Sequence, residues 1–176
     1  MADTSYAIAI GSNRRHGRHG APAQVIAAAL DALRDADVRI RAVSPTIHTA
    51  PWGPAGRSFA NAAVIVATPL DPPALLRLLK AIERSFGRRR GRRWGQRVLD
   101  LDIMLWSEGR WPPFPTRAAP GRLAIPHIGL ALRPFVLVPL TAIAPGWRDA
   151  RSGLSVRQLH ARLKRASPVD PAPRPQ

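Results

Sequence analysis

The sequence contains no cysteine, so neither a disulfide nor a thiolate metal site can contribute to this fold. It also has no apolar run near the roughly 20 residues that a membrane span requires. Residues 1–6 show no charged segment leading into an apolar one, so we expect a protein that is not exported. We therefore expect a soluble protein, with the cytoplasm as the default compartment, since the lack of cysteine by itself says little about compartment.

Acidic residues are few, with 11 Asp and Glu against 27 Lys and Arg, and the formal net charge is +16. A surface of one sign attracts polyanions, which include nucleic acids, acidic membranes and nucleotide phosphates. Lysine is nearly missing, since Lys80 and Lys164 are the two in the chain and the other cations are arginine. Because such a bias also follows from a GC-rich coding sequence, net charge alone does not select a ligand.

Hydrophobic periodicity divides the first two thirds of the chain into six elements. Alternation of apolar residues predicts four strands, at about residues 6–10, 38–47, 61–68 and 98–105. Helical spacing predicts two helices, at about residues 22–33 and 72–86. The order β-α-β-β-α-β is the split βαβ arrangement of a ferredoxin-like α+β sandwich with an antiparallel sheet.

The second predicted helix has clear end signals, because Asp71 precedes it as an N-cap and Gly87 follows it. In the strand at 38–47, Pro45 predicts a bend or an end. Towards the C-terminus we expect extra helices at about 127–143 and 155–164. We therefore expect a single domain over residues 1–166, followed by a Pro-rich, disordered tail at 167–176.

Asp100 and Asp102 lie two residues apart in the fourth predicted strand. The period of two places them on one face, and the opposite face belongs in the core with Leu99, Leu101, Ile103 and Leu105. Their backbones are about 7 Å apart, so their oxygens can converge on one or two hard cations. The same pair could also face water or pair with neighbouring arginines.

Six arginines lie between residues 88 and 97, interrupted by two glycines, Trp94 and Gln96. Arginine binds phosphate oxygens bidentately, and Trp94 could stack on a flat ring. The same composition suits a solvated loop or a single-stranded nucleic acid. Two carboxylates directly after the loop would weaken binding to a phosphate backbone, whereas they suit metal-assisted phosphoryl transfer. The chain has neither a P-loop nor a protein-kinase signature.

Residues 93–104 resemble the signature of the 6-hydroxymethyl-7,8-dihydropterin pyrophosphokinase family of folate biosynthesis. Further matches follow in the family's order, at residues 8–13, 59–64, 82–88 and 126–140. The resemblance implies a ferredoxin-like α+β fold. It also implies transfer of the pyrophosphoryl group of ATP to the pterin hydroxymethyl oxygen with release of AMP, so that ATP is the co-substrate and two Mg²⁺ ions are expected.

The resemblance also implies roles for residues that would bind metal and ATP. Asp100 and Asp102 would bind the two Mg²⁺ ions, while Arg88 and Arg97 would be catalytic by stabilising charge on the transferring phosphates. The residues expected to contact or surround ATP, besides Arg97, are Glu83, Arg90, Trp94, Ile103, Arg122, His127 and Arg133. The chain departs from the family pattern at Lys80, Ala124 and Ile128, where glutamine, threonine and tyrosine are common.

For the pterin, the resemblance implies a ring held between Phe59 and Phe135, with Asn61 recognising its edge. The same pocket would be lined by Thr49, Ala50 and Trp52. A flat ring with a hydrogen-bonding edge suits two aromatic side chains and one amide. An isolated phenylalanine is more often an ordinary core residue, so its placement decides between these roles.

We therefore expect a monomer that binds small molecules and neither a membrane nor nucleic acid. Two alternatives remain open. One is a nucleic-acid-binding module that uses the arginine-rich residues 88–97 and the basic residues 14–20. The other is a related transferase for a different small acceptor, because acceptor choice depends on pocket shape.

Overall fold

The computed structural model describes residues 3–49, 59–87, 98–113, 116, 119 and 121–166. Over this part of the chain the strands are β1 (Thr4–Ser12), β2 (Arg39–Val43), β3 (Ile47–Thr49), β4 (Phe59–Thr68) and β5 (Asp100–Trp106). The α-helices are α1 (Pro22–Asp35), α2 (Pro72–Ser85), α3 (Pro134–Ile143) and α4 (Val156–Ala166), and a 3-10 helix covers Leu130–Leu132. Among these helices, none is long and apolar enough to cross a bilayer.

The strands form one antiparallel sheet with β4 and β1 at its centre. The order across the sheet is β2-β4-β1-β5, and β3 also pairs with β4, so that β2 and β3 share one edge. Helix α1 connects β1 to β2, and α2 connects β4 to β5. This is the ferredoxin-like α+β arrangement, and the predicted fold class is confirmed.

The predicted second strand is divided into β2 and β3 around Pro45, which has no N–H to donate to the sheet. Ser44 bridges the interruption. Its backbone N–H donates to the oxygen of Ala63 at 2.9 Å, and its Oγ accepts from the Ala63 N–H at 2.9 Å. The edge therefore stays bonded to β4 up to β3, which carries Thr49.

Helices α1 and α2 cover one face of the sheet and enclose the larger core. Its most buried members include Ile8, Ile10, Leu33, Leu75 and Leu79. Helix α2 begins where Asp71 Oδ1 accepts from the Ala74 N–H at 2.7 Å. Beyond its C-terminus Gly87 has a φ of +84°, which glycine adopts without steric cost. Both predicted end signals of this helix are confirmed.

Helices α3 and α4 cover the opposite face and enclose a second, smaller core. Helix α3 is shorter than the predicted segment 127–143, because the chain first forms the 3-10 helix and the α-helix starts at Pro134. The sheet contributes the small side chains of Ala7 and Ala63 to this core. Helix α3 therefore packs directly over β4.

The predicted alternation along β5 is wrong at its C-terminal end because of a β-bulge. Ile103 pairs with Ile8 and Leu105 with Ala7, so Met104 is the extra residue on β5. Leu105 consequently joins the smaller core, whereas Leu101 and Ile103 lie in the larger one. Asp100 and Asp102 precede the bulge, so the predicted separation of carboxylates from the apolar face holds for them.

The basic residues 14–20 form a tight turn, in which His16 and Gly20 exchange two backbone hydrogen bonds of 2.8 Å. The rings of His16 and His19 stack with centroids 4.7 Å apart, and His19 stacks on Phe86 at 4.9 Å. The turn is therefore packed against the C-terminal end of α2.

Candidate active site

The candidate site lies on the sheet face that α3 and α4 cover. These helices bury Ala7 and Ala63, but Ala9 and Gly11 further along β1 remain partly exposed. Both exposed positions carry little or no side chain, so the sheet offers a shallow floor at this end. Open space over a sheet with small residues is where a flat ligand can lie against the backbone.

Strand register brings the two predicted halves of the site to this floor. Gly11 pairs with Asn61 on β4 and with Asp100 on β5. Residues directly opposite one another in antiparallel strands project from the same face. Because neighbouring strands lie about 4.8 Å apart, the backbones of Asn61 and Asp100 are separated by about 10 Å across Gly11. The predicted metal-binding and pterin-binding residues are thus neighbours in space.

Asp102 is two residues further along β5 and pairs with Ala9. Its two carboxylate oxygens face different cations. Oδ1 lies 3.9 Å from Nζ of Lys80, and Oδ2 lies 3.6 Å from Nη1 of Arg133. We call Asp100, Asp102, His127 and Arg133 the acidic side of the site.

His127 is anchored beside the carboxylates by its own backbone, whose N–H donates to the oxygen of Met104 at 2.9 Å. Its ring Nδ1 accepts from the Gly129 N–H at 2.9 Å, so in the neutral ring the proton is on Nε2. Burial lowers the pKa of His127, and the Arg133 charge adds to this lowering, while Asp102 opposes it. The lowered pKa favours the neutral imidazole near pH 7, in which Nε2–H can donate.

Arg133 reaches Asp102 by passing close over Gly129. A Cβ at position 129 would lie 2.7 Å from Nε of Arg133, so any side chain there would displace the guanidinium. The carbon at the centre of that guanidinium lies 6.0 Å from the ring centroid of Phe135. Arg133 thus stands between the carboxylates and an aromatic ring.

On the other side of Gly11, three predicted pterin residues lie together, and we call Thr49, Phe59 and Asn61 the amide side. Asn61 is 6% exposed and donates from Nδ2 to Oγ1 of Thr49 at 3.0 Å. This bond leaves its Oδ1 on the side of Gly11, 3.4 Å from where a Cβ would stand. Phe59 pairs with Thr49 and, by the period of two, shares the face of Asn61.

Phe135, the second predicted aromatic, begins helix α3 one residue after Pro134. Its side chain is 38% exposed, which is far more than the core residues of the same helix. An ordinary core role is thereby excluded for Phe135. The ring is available to a ligand near the start of α3, as the resemblance implies.

Three other predicted ATP residues are placed differently. Glu83 is fully buried and accepts the Leu101 N–H at 2.8 Å. Ile103 is buried in the larger core, on the face opposite the carboxylates, so only its backbone could approach a nucleotide. Arg122 is exposed, and its backbone N–H donates to Ala119 at 3.0 Å. The roles of these three residues remain predictions.

Several predicted residues fall outside the described part of the chain, and their roles also remain predictions. On the nucleotide side they are Arg88, Arg90, Trp94 and Arg97, and on the pterin side Ala50 and Trp52. The same holds for the predicted tail at 167–176.

Sequence reasoning gave no role to Gly11, Lys80 and Gly129. Gly11 was matched only as part of the segment 8–13, although it is the residue that separates the two sides of the floor. The close approach of Arg133 to Gly129 has no local signal, because it depends on the path of the chain before α3. Lys80 lies three residues before Glu83, which is a usual spacing for an ion pair on a helix. That spacing could have predicted the contact between Lys80 and Glu83.

The donor set fits magnesium held jointly with a nucleotide. Within the described residues, no group of three or more His, Asp and Glu side chains could hold a metal alone. Mg²⁺ commonly uses one or two protein carboxylates and takes its remaining oxygens from phosphates and water. Asp100 and Asp102 on one strand face supply that number of carboxylates.

The fold and this arrangement define a ferredoxin-like α+β protein in which an acidic pair lies near a buried amide that is bonded to a hydroxyl. Residues 7–145 match the family described as 7,8-dihydro-6-hydroxymethylpterin-pyrophosphokinase (HPPK). The chain belongs to this family, and the resemblance recognised in its sequence is confirmed.

Individual relatives agree with the family match. The chain is 42% identical over 143 residues to the 2-amino-4-hydroxy-6-hydroxymethyldihydropteridine pyrophosphokinase of Pseudomonas aeruginosa, covering 80% of this chain and 81% of that protein. It is 40% identical over 124 residues to the protein of the same name from Synechocystis sp., covering 70% of this chain and 60% of that protein. The chain thus spans well under the full length of the Synechocystis relative.

Solved structures show the same fold. The crystal structure of wild-type Plasmodium falciparum HPPK-DHPS superposes with a TM-score of 0.68 at 14% identity, covering 91% of this chain and 41% of that one. At this identity the likeness concerns the fold alone.

Proposed function

We propose that this chain transfers the β,γ-pyrophosphoryl group of ATP to 6-hydroxymethyl-7,8-dihydropterin in folate biosynthesis. The pterin hydroxymethyl oxygen bonds to the β-phosphorus, and the bond from that phosphorus to the α,β-bridging oxygen breaks. AMP leaves with the bridging oxygen, and the hydroxyl proton is released to solvent. The observation that carries this proposal is the row Asn61, Gly11 and Asp100, which sets the carboxylate proposed to bind metal near the amide proposed to recognise the pterin.

Asp100 and Asp102 would hold magnesium against the ATP phosphates. We propose two ions, since the two carboxylates project from one strand face and each can contribute to a separate cation. Bound magnesium would supply positive charge where the transferring phosphates build up negative charge. Asp100 and Asp102 would hold that charge beside Gly11 and Ala9, where the acceptor oxygen would lie.

We propose that His127, as a neutral donor, and Arg133, as a cation, both bind the transferring phosphates. The neutral His127 ring has its Nδ1 occupied by the Gly129 N–H, so Nε2–H is left to donate to a phosphate oxygen. Arg133 already contacts a carboxylate oxygen of Asp102 and presents further N–H donors of its planar fork. We also propose Arg88, Arg97 and their neighbours as phosphate ligands. Together with Arg133 they would supply positive charge that balances the negative charge of ATP.

The amide side would recognise the pterin. Asn61 donates to Thr49 and keeps Oδ1 as an acceptor for N–H groups on the edge of the ring. The exposed ring of Phe135 and the partly exposed ring of Phe59 offer apolar faces for stacking. Acceptor choice depends on the shape of the binding site, so the test uses this pterin directly.

The deciding experiment is AMP formation from magnesium-ATP and the hydroxymethyl-dihydropterin. We expect turnover in the natural chain and a loss on the order of 10³-fold in Asp100→Asn and in Asp102→Asn, because each removes a charge from the metal site. The matched control is Asp31→Asn, since Asp31 is an exposed carboxylate on α1 that pairs with Arg34. Its activity should stay within twofold of the natural chain.

The competing functions have distinct outcomes in the same assay. Absence of AMP together with salt-sensitive binding of random oligonucleotides would favour a nucleic-acid-binding module, which the charge of +16 also suits. AMP formation with another hydroxylated acceptor and none with the pterin would favour a related transferase. Activity that survives both carboxylate substitutions would reject the metal assignment.

A further inference from the structure

Lys80 forms a bridge between helix α2 and the acidic side of the site. Its Nζ lies 2.7 Å from Oε1 of Glu83 and donates to the backbone oxygen of Leu101 at 3.2 Å. The same Nζ lies 3.9 Å from Oδ1 of Asp102. One ammonium group therefore serves two carboxylates and a strand carbonyl, and we call this arrangement the Lys80 bridge.

The Lys80 bridge completes the outer edge of the sheet. Among the described strands β5 lies at the edge of the sheet, and the N–H and C=O of Leu101 are bonded by Glu83 and Lys80. Glu83 is fully buried, so its carboxylate depends on charged and polar partners such as this ammonium. These contacts hold the Lys80 side chain in one place, close to Asp102.

This fixed cation opposes any metal ion that comes to Asp102 alone. Oδ1 of Asp102 faces Lys80, and Oδ2 faces Arg133 at 3.6 Å. A divalent ion added without a nucleotide would bring two more positive charges to a carboxylate that already faces two cations. A nucleotide brings negative phosphates with the ion, so the same repulsion is offset in the ternary complex.

We propose that Lys80 is a positioning residue that keeps Asp102 paired before substrate binds and makes metal binding depend on the nucleotide. This inference rests on the proposed function, because it takes Asp102 as a metal ligand. It assigns to Lys80 a role in the order of assembly: metal is accepted with ATP and disfavoured without it. The resulting signature is a coupling between metal and nucleotide affinity that weakens when the Lys80 charge is removed.

The test measures binding of Mn²⁺, as a probe for magnesium, by the loss of its free electron paramagnetic resonance signal. Each protein is titrated alone and with an ATP analogue whose α,β-bridging oxygen is a methylene group. In Lys80→Gln we expect Mn²⁺ to bind about three- to tenfold more tightly without nucleotide, as a partly exposed ion pair allows. With the analogue bound, the Mn²⁺ affinity of Lys80→Gln should differ less than twofold from that of the natural chain. The coupling between Mn²⁺ and nucleotide binding is therefore expected to be weaker in Lys80→Gln.

Two variants separate the charge from the rest of the side chain. Lys80→Arg keeps the positive charge and should retain the natural coupling within about twofold. Lys164→Gln changes net charge by the same amount on the exposed face of α4, and it should leave both affinities unchanged. A purely structural role for Lys80 would lower the melting temperature in Lys80→Gln without changing the coupling ratio.

If Lys80→Gln does not fold, the double variant Lys80→Gln with Glu83→Gln is titrated in its place. The double variant removes both charges of the buried pair and keeps hydrogen-bonding groups. This double variant should also bind free Mn²⁺ more tightly. If Asp102→Asn abolishes Mn²⁺ binding but the Lys80 variants match the natural chain, the Lys80 inference fails and the proposed function stands. If Asp102→Asn leaves Mn²⁺ binding intact, the metal assignment and the Lys80 inference fail together.

Discussion

The two sides of the site share one sheet floor but differ in how they present polar groups. On the acidic side, Asp102 is partly exposed and lies between two cations, Lys80 and Arg133. On the amide side, Asn61 is nearly buried and bonded to an uncharged hydroxyl. The difference suits two ligands, because cations and metal-binding carboxylates suit charged phosphates, whereas a neutral ring edge needs an uncharged hydrogen-bond partner.

The distance between the two sides is fixed by the sheet, as the proposed reaction between their ligands requires. Antiparallel pairing sets Asn61 and Asp100 on either side of Gly11, so their separation is fixed by strand spacing and not by loops. Rigid elements position reacting groups more accurately than loops do.

The largest effect is expected from Gly11→Val, which would place a branched side chain on the shared floor. Even a Cβ at this position would lie 3.4 Å from Oδ1 of Asn61, and the added methyl groups would rise between Asn61 and Asp100. We expect both pterin and ATP-analogue affinities to fall by about 100-fold or more, measured by isothermal titration calorimetry. This corresponds to loss of several contacts of about 1 kcal/mol each.

Gly11→Ala should be mild, because 3.4 Å is an ordinary contact distance. Gly17→Val is the control for adding valine, since nothing lies within 4 Å of a Cβ there. Valine is favoured in strands, so the melting temperature of Gly11→Val should change by only a few degrees. Loss of one ligand with full retention of the other would show that the two sides do not share this floor.

A smaller and selective effect is expected from Phe135→Ala. The ring is 38% exposed, so its removal opens little of the core. We expect the pterin dissociation constant to rise about 10- to 100-fold, as loss of aromatic stacking predicts, and the ATP-analogue constant to change less than threefold. Calorimetric titration with each ligand separately measures both values.

The matched control is Val138→Ala, which removes a side chain of equal exposure, 38%, from the same helix. It should leave pterin binding within twofold. Equal losses of pterin and ATP affinity in Phe135→Ala would argue against stacking. They would point instead to Arg133, whose guanidinium carbon lies 6.0 Å from this ring.

Most of the fold was predictable because its signals are local. Asp71 and Gly87 mark the ends of α2, Pro45 divides the edge strand, and alternation in β5 separates Asp100 and Asp102 from the core. The face of Leu105 was not predictable, since the bulge at Met104 arises from pairing with β1, which is distant in sequence. Local pattern specifies elements, whereas register depends on the partner strand.

The candidate site was predictable as a set of residues but not as a geometry. Family motifs indicated Asp100, Asp102 and Asn61, yet no sequence pattern predicts that Gly11 lies between Asn61 and Asp100. The contact of Lys80 with the carboxylate of Asp102 is likewise not predictable from sequence, because it joins helix α2 to strand β5. Contacts between elements far apart in the chain require the folded structure.

The smallest effect is expected from Gly129→Ala, which should disturb the acidic side and spare the amide side. A Cβ at 129 would lie 2.7 Å from Nε of Arg133, and the flexible end of this side chain would move away from Asp102. We expect the KM for ATP to rise about three- to tenfold, since a partly exposed charged contact is lost, and the KM for pterin to stay within twofold. Gly146→Ala, where nothing lies within 4 Å of a Cβ, is the control.

A double-mutant cycle decides whether this effect passes through Arg133. In an Arg133→Ala background the guanidinium is already gone, so Gly129→Ala should cause no further rise in the KM for ATP. An additive rise would mean that the new methyl group acts elsewhere, for example on the Gly129 N–H that donates to His127 Nδ1 at 2.9 Å. The cycle therefore distinguishes two contacts of Gly129. Its lack of a side chain leaves room for the Arg133 guanidinium, and its backbone N–H donates to His127.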